Sequence, residues 1–185
     1  MNKDFNIVIV GTGGQGLITL LQIIAEAALS SGYDIKTSEL HGLSQRGGSV
    51  EVHIRFGKEI FSPLVSQAKA DLILALEMQE SLKALYFTSD KTRFLINKHF
   101  IPIPSRKPFS EEQILAALKA KTKKIKTVEV KGVTSGVYLL SLASFEKLIP
   151  LSPDSILSAI RKVIPQQYFE LNKKTFESAK KDEKK

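Results

Sequence analysis

Apolar residues recur along the chain with two spacings, and together they lay out a succession of strands and helices. Phe5–Val10 (FNIVIV) is a β-branched run that stops at Gly11, the pattern of a buried parallel strand. Gly16–Ser31 is apolar almost all round, with a narrow polar stripe at Thr19, Gln22, Glu26 and Ser30, and Gly32 stops it, so a helix is predicted there. Asp34–Ser38 restarts a strand and completes a strand–helix–strand unit. Ser49–Phe56 alternates: Val50, Val52, Ile54 and Phe56 face one way, and Ser49, Glu51, His53 and Arg55 the other, toward solvent. Gly57-Lys58 then turns the chain into a short strand, Glu59–Phe61, which predicts an antiparallel hairpin.

Ala70–Leu76 (ADLILAL) is continuously apolar and reads as a central parallel strand, followed by a helix over Glu77–Tyr86 and a strand over Arg93–Asn97. Pro102, Pro104 and Pro108 mark an extended loop, and Ser110-Glu111-Glu112-Gln113 is a capping box opening a helix to about Lys121. Ile125–Val130 is strand-like and Val137–Ile149 is a strongly apolar helix. Ser152-Pro153 supplies a cap and a first-turn proline for a helix over Pro153–Val163. Pro165 ends that helix, and a last amphipathic one leads into a Lys-rich tail. The alternation predicts an α/β fold, a single Rossmann-like doubly wound domain over residues 1–172. Its sheet is mostly parallel with an antiparallel hairpin, and residues 173–185 form a Lys-rich helix end and tail. Ligands of such sheets bind at the C-terminal strand ends, near the switch in strand order.

Composition narrows the chemistry. The 185 residues fit one core, and 43% hydrophobic with 25% charged residues is ordinary for a globular chain. No apolar run approaches the roughly 18 residues that span a bilayer. Met1–Asp4 leads straight into the first strand without room for a signal peptide, so a cytoplasmic location with no membrane partner is expected. There is no cysteine, which excludes an ordinary iron–sulfur cluster, a thiolate zinc site and a catalytic thiol from this chain. His41, His53 and His99 show no metal-ligand spacing. The net charge of +8 is carried by Lys119–Lys131 and Lys173–Lys185, which leaves the body neutral. Two solvated segments do not make a nucleic-acid recognition face, and removing the chain beyond Glu177 is expected to leave folding intact.

The first candidate site is Gly11, Thr12, Gly13, Gly14, Gln15 and Gly16, between a strand and a helix. Glycines allow a tight turn, and the helix start offers free N–H groups and a positive dipole end, so a phosphate or carboxylate can dock there. Glu39 sits where a dinucleotide-binding domain places its ribose-binding acid. His41–Gly48 (HGLSQRGG) is a second glycine-rich loop, with Arg46 as its only charged side chain and one able to grip a carboxylate or phosphate with two prongs. His41 reads as a hydrogen-bonded loop residue, and Glu77 ends the central strand either near the crevice or as a first-turn acid. No catalytic set stands out. A free-standing NAD-dependent oxidoreductase and a basic nucleic-acid-binding module both stay open on these residues.

GTGGQG after the first strand, then SELHGLSQRGGSVEVHIRFG, FSPLV and ADLILALE, resembles the small subunit of the 2-oxoacid:ferredoxin oxidoreductases. The beta subunit of the indolepyruvate type is the nearest form, and IRKVIPQQYFELNKKTFE is similar to its C-terminal end. The resemblance implies thiamine-dependent oxidative decarboxylation of a 2-oxoacid with coenzyme A to an acyl-CoA, with electrons passing to ferredoxin. A larger partner subunit would then hold thiamine diphosphate and the iron–sulfur clusters, and this chain no cofactor and no activity of its own. Gly11–Gly16 and the segment Ser44, Gln45, Arg46, Gly47 and Gly48 would face that partner and shape the approach of thiamine diphosphate or coenzyme A.

Overall fold

The computed structural model describes residues 4–42, 47–102, 108–130, 132 and 134–182. Its elements are β1 (Phe5–Thr12), α1 (Leu17–Ser30), β2 (Asp34–His41), β3 (Ser49–Gly57) and β4 (Leu72–Ala75). A 3-10 segment (Glu80–Phe87), β5 (Arg93–Asn97), α2 (Glu111–Lys119), β6 (Ile125–Val128), α3 (Ser135–Phe145), α4 (Pro153–Val163) and α5 (Gln166–Asp182) follow. The strands form one sheet in the order β2-β3-β1-β4-β5-β6, parallel throughout except for β3.

Side chains alternate across the buried strands, which separates two cores. Ile7, Ile9, Leu72, Leu74 and Leu95 pack with α1, α3, α4 and α5 on one face. Val8, Val10, Ile73, Phe94 and Ile96 meet the 3-10 segment, α2 and the loop before β4 on the other. Both faces are covered, as a parallel sheet requires. Local signals fixed several boundaries. Ser110 caps α2, its Oγ accepting from Gln113 N–H at 3.3 Å while Gln113 Oε1 accepts from Ser110 N–H at 2.9 Å. Ser152 caps α4 with Pro153 in its first turn.

The predicted hairpin differs. β3 does not pair with a strand over Glu59–Phe61; it lies antiparallel between β1 and β2. Residues 59–61 form no strand, because Ile60 turns inward, is 3% exposed and donates its N–H to Asp34 Oδ2 at 2.7 Å. The loop after β3 folds back over the strand's second face, so His53 is 2% exposed and not in solvent. Its Nδ1 accepts from Val65 N–H at 3.0 Å, Nε2 meets Glu51 at 2.9 Å, and its ring stands edge-on to Phe87.

The stretch after β4 also departs from the expected helix. Glu77 turns the chain by accepting the Glu80 N–H, and the following residues wind tightly as a 3-10 segment that buries Ser81, Ala84 and Phe87 at three-residue spacing. α5 runs on through the Lys-rich segment: Lys174, Lys180 and Lys181 are exposed while Phe176 and Ala179 are buried. Tyr138 donates its hydroxyl to Asp182 at 2.8 Å, and burial followed by that carboxylate pushes the phenol up to about 12. Cutting the chain after Glu177 therefore removes core, contrary to the expectation from charge alone.

Candidate functional site

The insertion of β3 beside β1 brings the two glycine segments together. Thr12, the last residue of β1, pairs with Ser49, the first of β3, and two backbone hydrogen bonds lie beyond that pair. Gly13 N–H donates to Gly48 O at 2.8 Å and Gly47 N–H to Gly13 O at 3.3 Å. Gly14, Gly16 and Gly47 are exposed beside this contact. Ser44, Gln45 and Arg46 lie outside the described residues.

Gln15 closes the first loop from within. Its Oε1 accepts from Thr12 N–H at 2.8 Å and its Nε2 donates to Leu76 O at 3.3 Å, while Gln15 N–H donates to Thr12 O at 3.2 Å. Gly11 makes this possible, since a Cβ there would stand 2.7 Å from Gln15 Oε1 and 3.3 Å from Leu76 Cβ. The N–H groups of Thr12, Gly13 and Gln15 are thus engaged inside the chain. The loop is a turn held against β4 by Gln15, with Gly14 and Gly16 exposed on its outer side.

Two cavities flank the turn. One of about 210 Å³ is lined by Gly14, Gln15, Asn97, His99 and Ser135, and its neighbour of about 470 Å³ by Gly16, Thr19, Thr134, Val137, Tyr168 and Leu171. The starts of α1 and α3 both reach these walls, neither with a side-chain cap or an acid in its first turn. The crevice therefore has a mildly positive rim from two helix dipoles. Asn97 is spent on shape, its amide exchanging hydrogen bonds with both the N–H and the C=O of Val130 at 2.9 and 3.0 Å. Among the described residues, no cluster of His, Asp and Glu is placed to hold a metal ion.

On the other face of the sheet, below the same turn, sit two buried acids. Glu77 is 2% exposed and accepts from Glu80 N–H at 2.7 Å and from Ile101 N–H at 3.1 Å. Burial raises its carboxyl above the usual range; the N–H donors oppose that shift and the nearby Glu80 charge adds to it. Ser49 Oγ donates to Glu80 Oε2 at 2.5 Å. Thr12 Oγ1 is buried and has no hydrogen-bond partner among the described residues. Exchanging that hydroxyl for a methyl keeps the shape and removes an unmatched polar atom. Thr12→Val should stabilise the chain by about 1 kcal/mol, read from the urea midpoint; a loss of stability would mean that the hydroxyl is hydrogen-bonded after all.

The remaining predicted residues are placed differently. Glu39 is exposed and paired with Val52, which is itself paired with Ile9. That puts it two strands, roughly 10 Å, from β1 and in mid-strand, too far to serve a nucleotide on the first glycine loop. His41 is exposed, its Nδ1 3.3 Å from Gly42 O. Asn97 and His99 line the smaller cavity, and Ser49 and Glu80 lie behind the turn; none of the four was proposed as a site residue from sequence. Only the polar Asn97 ending an apolar strand carried any local signal.

Comparison with known proteins agrees with this architecture. Residues 6–181 match the family described as pyruvate ferredoxin/flavodoxin oxidoreductase. The chain is 32% identical to indolepyruvate oxidoreductase subunit IorB of Thermococcus kodakarensis, over 95% of this chain and 94% of that one. It is 31% identical to the subunit of the same name from Pyrococcus horikoshii, with the same coverage of 95% and 94%. Among solved structures, the pyruvate oxidoreductase subunit PORC of Thermotoga maritima superposes with a TM-score of 0.69 at 21% identity, covering 97% of this chain and 96% of that one. A 2-oxoglutarate:ferredoxin oxidoreductase from Magnetococcus marinus gives a TM-score of 0.73 at 15% identity, all of this chain covering 32% of that longer one. The structural likenesses carry the fold and the sequence match runs nearly end to end, so this chain belongs to the pyruvate ferredoxin/flavodoxin oxidoreductase family.

Proposed function

We propose that the chain is the small subunit of a 2-oxoacid:ferredoxin oxidoreductase of the indolepyruvate type. The assembled enzyme would release the carboxylate of an aryl 2-oxoacid as carbon dioxide, join the acyl carbon to the sulfur of coenzyme A and pass the electrons to ferredoxin. Thiamine diphosphate and the iron–sulfur clusters belong to the larger subunit in this reading. This chain has no cysteine to bind clusters, and its glycine turn engages the N–H groups of Thr12, Gly13 and Gln15 internally.

The observation that carries the reading is the hydrogen-bonded contact of Gly13 with Gly47 and Gly48. It joins Gly13 to Gly47 and Gly48 as one backbone surface, with Gly14, Gly16 and Gly47 exposed on it. Such a surface suits close apposition to a partner or to an extended cofactor approaching between subunits. Gly13, Gly14 and Gly16, with Ser44, Gln45, Arg46, Gly47 and Gly48, are proposed to form this face, and the buried Gly11 and Thr12, with Gln15, to hold it from beneath. No other residue of the second segment carries charge, so Arg46 is proposed to meet an anion there: a partner carboxylate, or a phosphate of thiamine diphosphate or coenzyme A.

Arg46→Lys keeps the charge and loses the planar fork, so it should already impair the assembled enzyme. Arg46→Ala should lose more, on the order of 2–5 kcal/mol if a buried charge pair is broken. Kinetics of the assembled enzyme at several coenzyme A concentrations separate the options. A rise confined to the KM for coenzyme A points to phosphate contact, and weaker subunit association to a partner carboxylate. Wild-type rates and assembly in both variants would remove Arg46 from the site.

A further inference from the structure

A polar chain crosses the sheet where β4 ends, on the face away from α1. Glu80 is largely buried, yet its carboxylate takes the Ser49 hydroxyl at 2.5 Å and the Lys83 ammonium at 2.8 and 2.9 Å. Its own N–H donates to Glu77, whose other oxygen accepts from Ile101. Two carboxylates three residues apart and both withdrawn from water cost stability that apolar side chains of similar size would not. A buried network of this kind gives in return a defined geometry.

What it defines is the start of β3. Ser49 directly follows Gly47 and Gly48, the residues that hydrogen-bond to Gly13. The 3-10 segment that carries Glu80 packs against β1, on which Gly13 follows. The Glu80 carboxylate therefore grips the second glycine segment where it becomes a strand, from an element that is itself referenced to the first.

The geometry points to Glu80 as a positioning residue that, through the Ser49 hydroxyl, fixes Gly47–Ser49 against Gly13 before a partner docks. Its functional half rests on the reading that this two-segment surface faces the larger subunit. Glu80 touches no reacting atom; it acts by preforming the surface, which lowers the ordering cost of association.

The test uses the full chain, free and with the larger subunit, as wild type, Ser49→Ala, Ser49→Thr and Glu80→Gln. Ser49→Ala removes one oxygen atom from a strand end and leaves the core untouched. In the free chain, amide exchange at Gly13 and Gly47 should rise about tenfold in Ser49→Ala, since a hydrogen bond to a charged group is lost. Exchange in the middle of β1 should stay at its wild-type rate. Ser49→Thr keeps the hydroxyl and should stay close to wild type, whereas Glu80→Gln keeps an acceptor but loses its charge, so its exchange should fall between wild type and Ser49→Ala. With the larger subunit, Ser49→Ala should associate about tenfold more weakly, with turnover at saturating partner within about twofold of wild type. Unchanged exchange at Gly13 and Gly47 in Ser49→Ala would overturn the positioning. Raised exchange with unchanged association would overturn its functional half, and would locate the failure in the reading that this surface meets the partner.

Discussion

Glu77→Ala is expected to destabilise the free chain by about 2–5 kcal/mol, among the largest effects open to a single side chain here. The N–H groups of Glu80 and Ile101 both end on the Glu77 carboxylate, and truncation leaves both without an acceptor in a closed environment. Glu77→Gln keeps one acceptor oxygen and turns an amide group toward the other N–H, so roughly half of that loss is expected. The acid also carries a pH signature. Its carboxyl is raised in the folded chain from an ordinary value of 4.5, chiefly by burial, so the folded state holds the proton more tightly than the unfolded one. The stability this proton contributes is fully present below 4.5 and is lost as pH rises through the raised folded value. Acidification from neutral toward 4.5 should therefore favour wild type over Glu77→Gln. Urea unfolding of both across that range checks it, and a difference independent of pH would mean that the two states hold the proton equally.

Much of the fold could be read from sequence because its signals are local. FNIVIV, the capping box at Ser110 and the Ser152-Pro153 start each act within a few residues; the strand and both helix starts form there, although β1 runs through Gly11 to Thr12 instead of stopping at the glycine. What could not be read depends on contacts made across the chain. The alternation in Ser49–Phe56 identifies a strand but not its neighbours, and β3 is inserted between β1 and β2 instead of closing a hairpin with Glu59–Phe61. His53 occupies a polar register position, and only the later return of the loop at Val65 buries it. Glu77 reads as a helix start, but its burial and its bond to Ile101 make a tighter turn followed by a 3-10 segment.

The site divides along the same line. Glycines between a strand and a helix mark the first turn, and the Gly47-Gly48 pair marks the second, without reference to anything distant. Their contact follows from strand order alone, so no residue in either segment announces it. Gln15 stands in the G-x-G-x-x-G pattern as an unspecified position, yet its side chain is what shuts the turn against Leu76. Ser49 and Glu80 meet across 31 residues of sequence and were invisible for that reason. Glu39 shows the opposite error. Its spacing suits a ribose contact, but β3 displaces β2 outward and carries the acid away from the loop.

The other large effect concerns catalysis itself, which should be all or none. The chain has no cysteine, its described residues offer no group of His, Asp and Glu placed to hold a metal ion, and the buried acids Glu77 and Glu80 are occupied with backbone, hydroxyl and lysine partners. In the proposed reading, neither the group that stabilises a decarboxylated 2-oxoacid nor the carrier of its electrons lies on this chain. The larger subunit would supply both functions, and this chain would supply the surface that completes the path of coenzyme A. Loss of this chain should then cost the enzyme far more than any point substitution in it. The direct measurement is anaerobic, indolepyruvate- and coenzyme A-dependent reduction of ferredoxin by this chain, by the larger subunit, and by the two co-purified. Turnover confined to the co-purified pair is the predicted result. Turnover by this chain alone, or undiminished turnover by the larger subunit without it, would contradict its assignment as an essential small subunit.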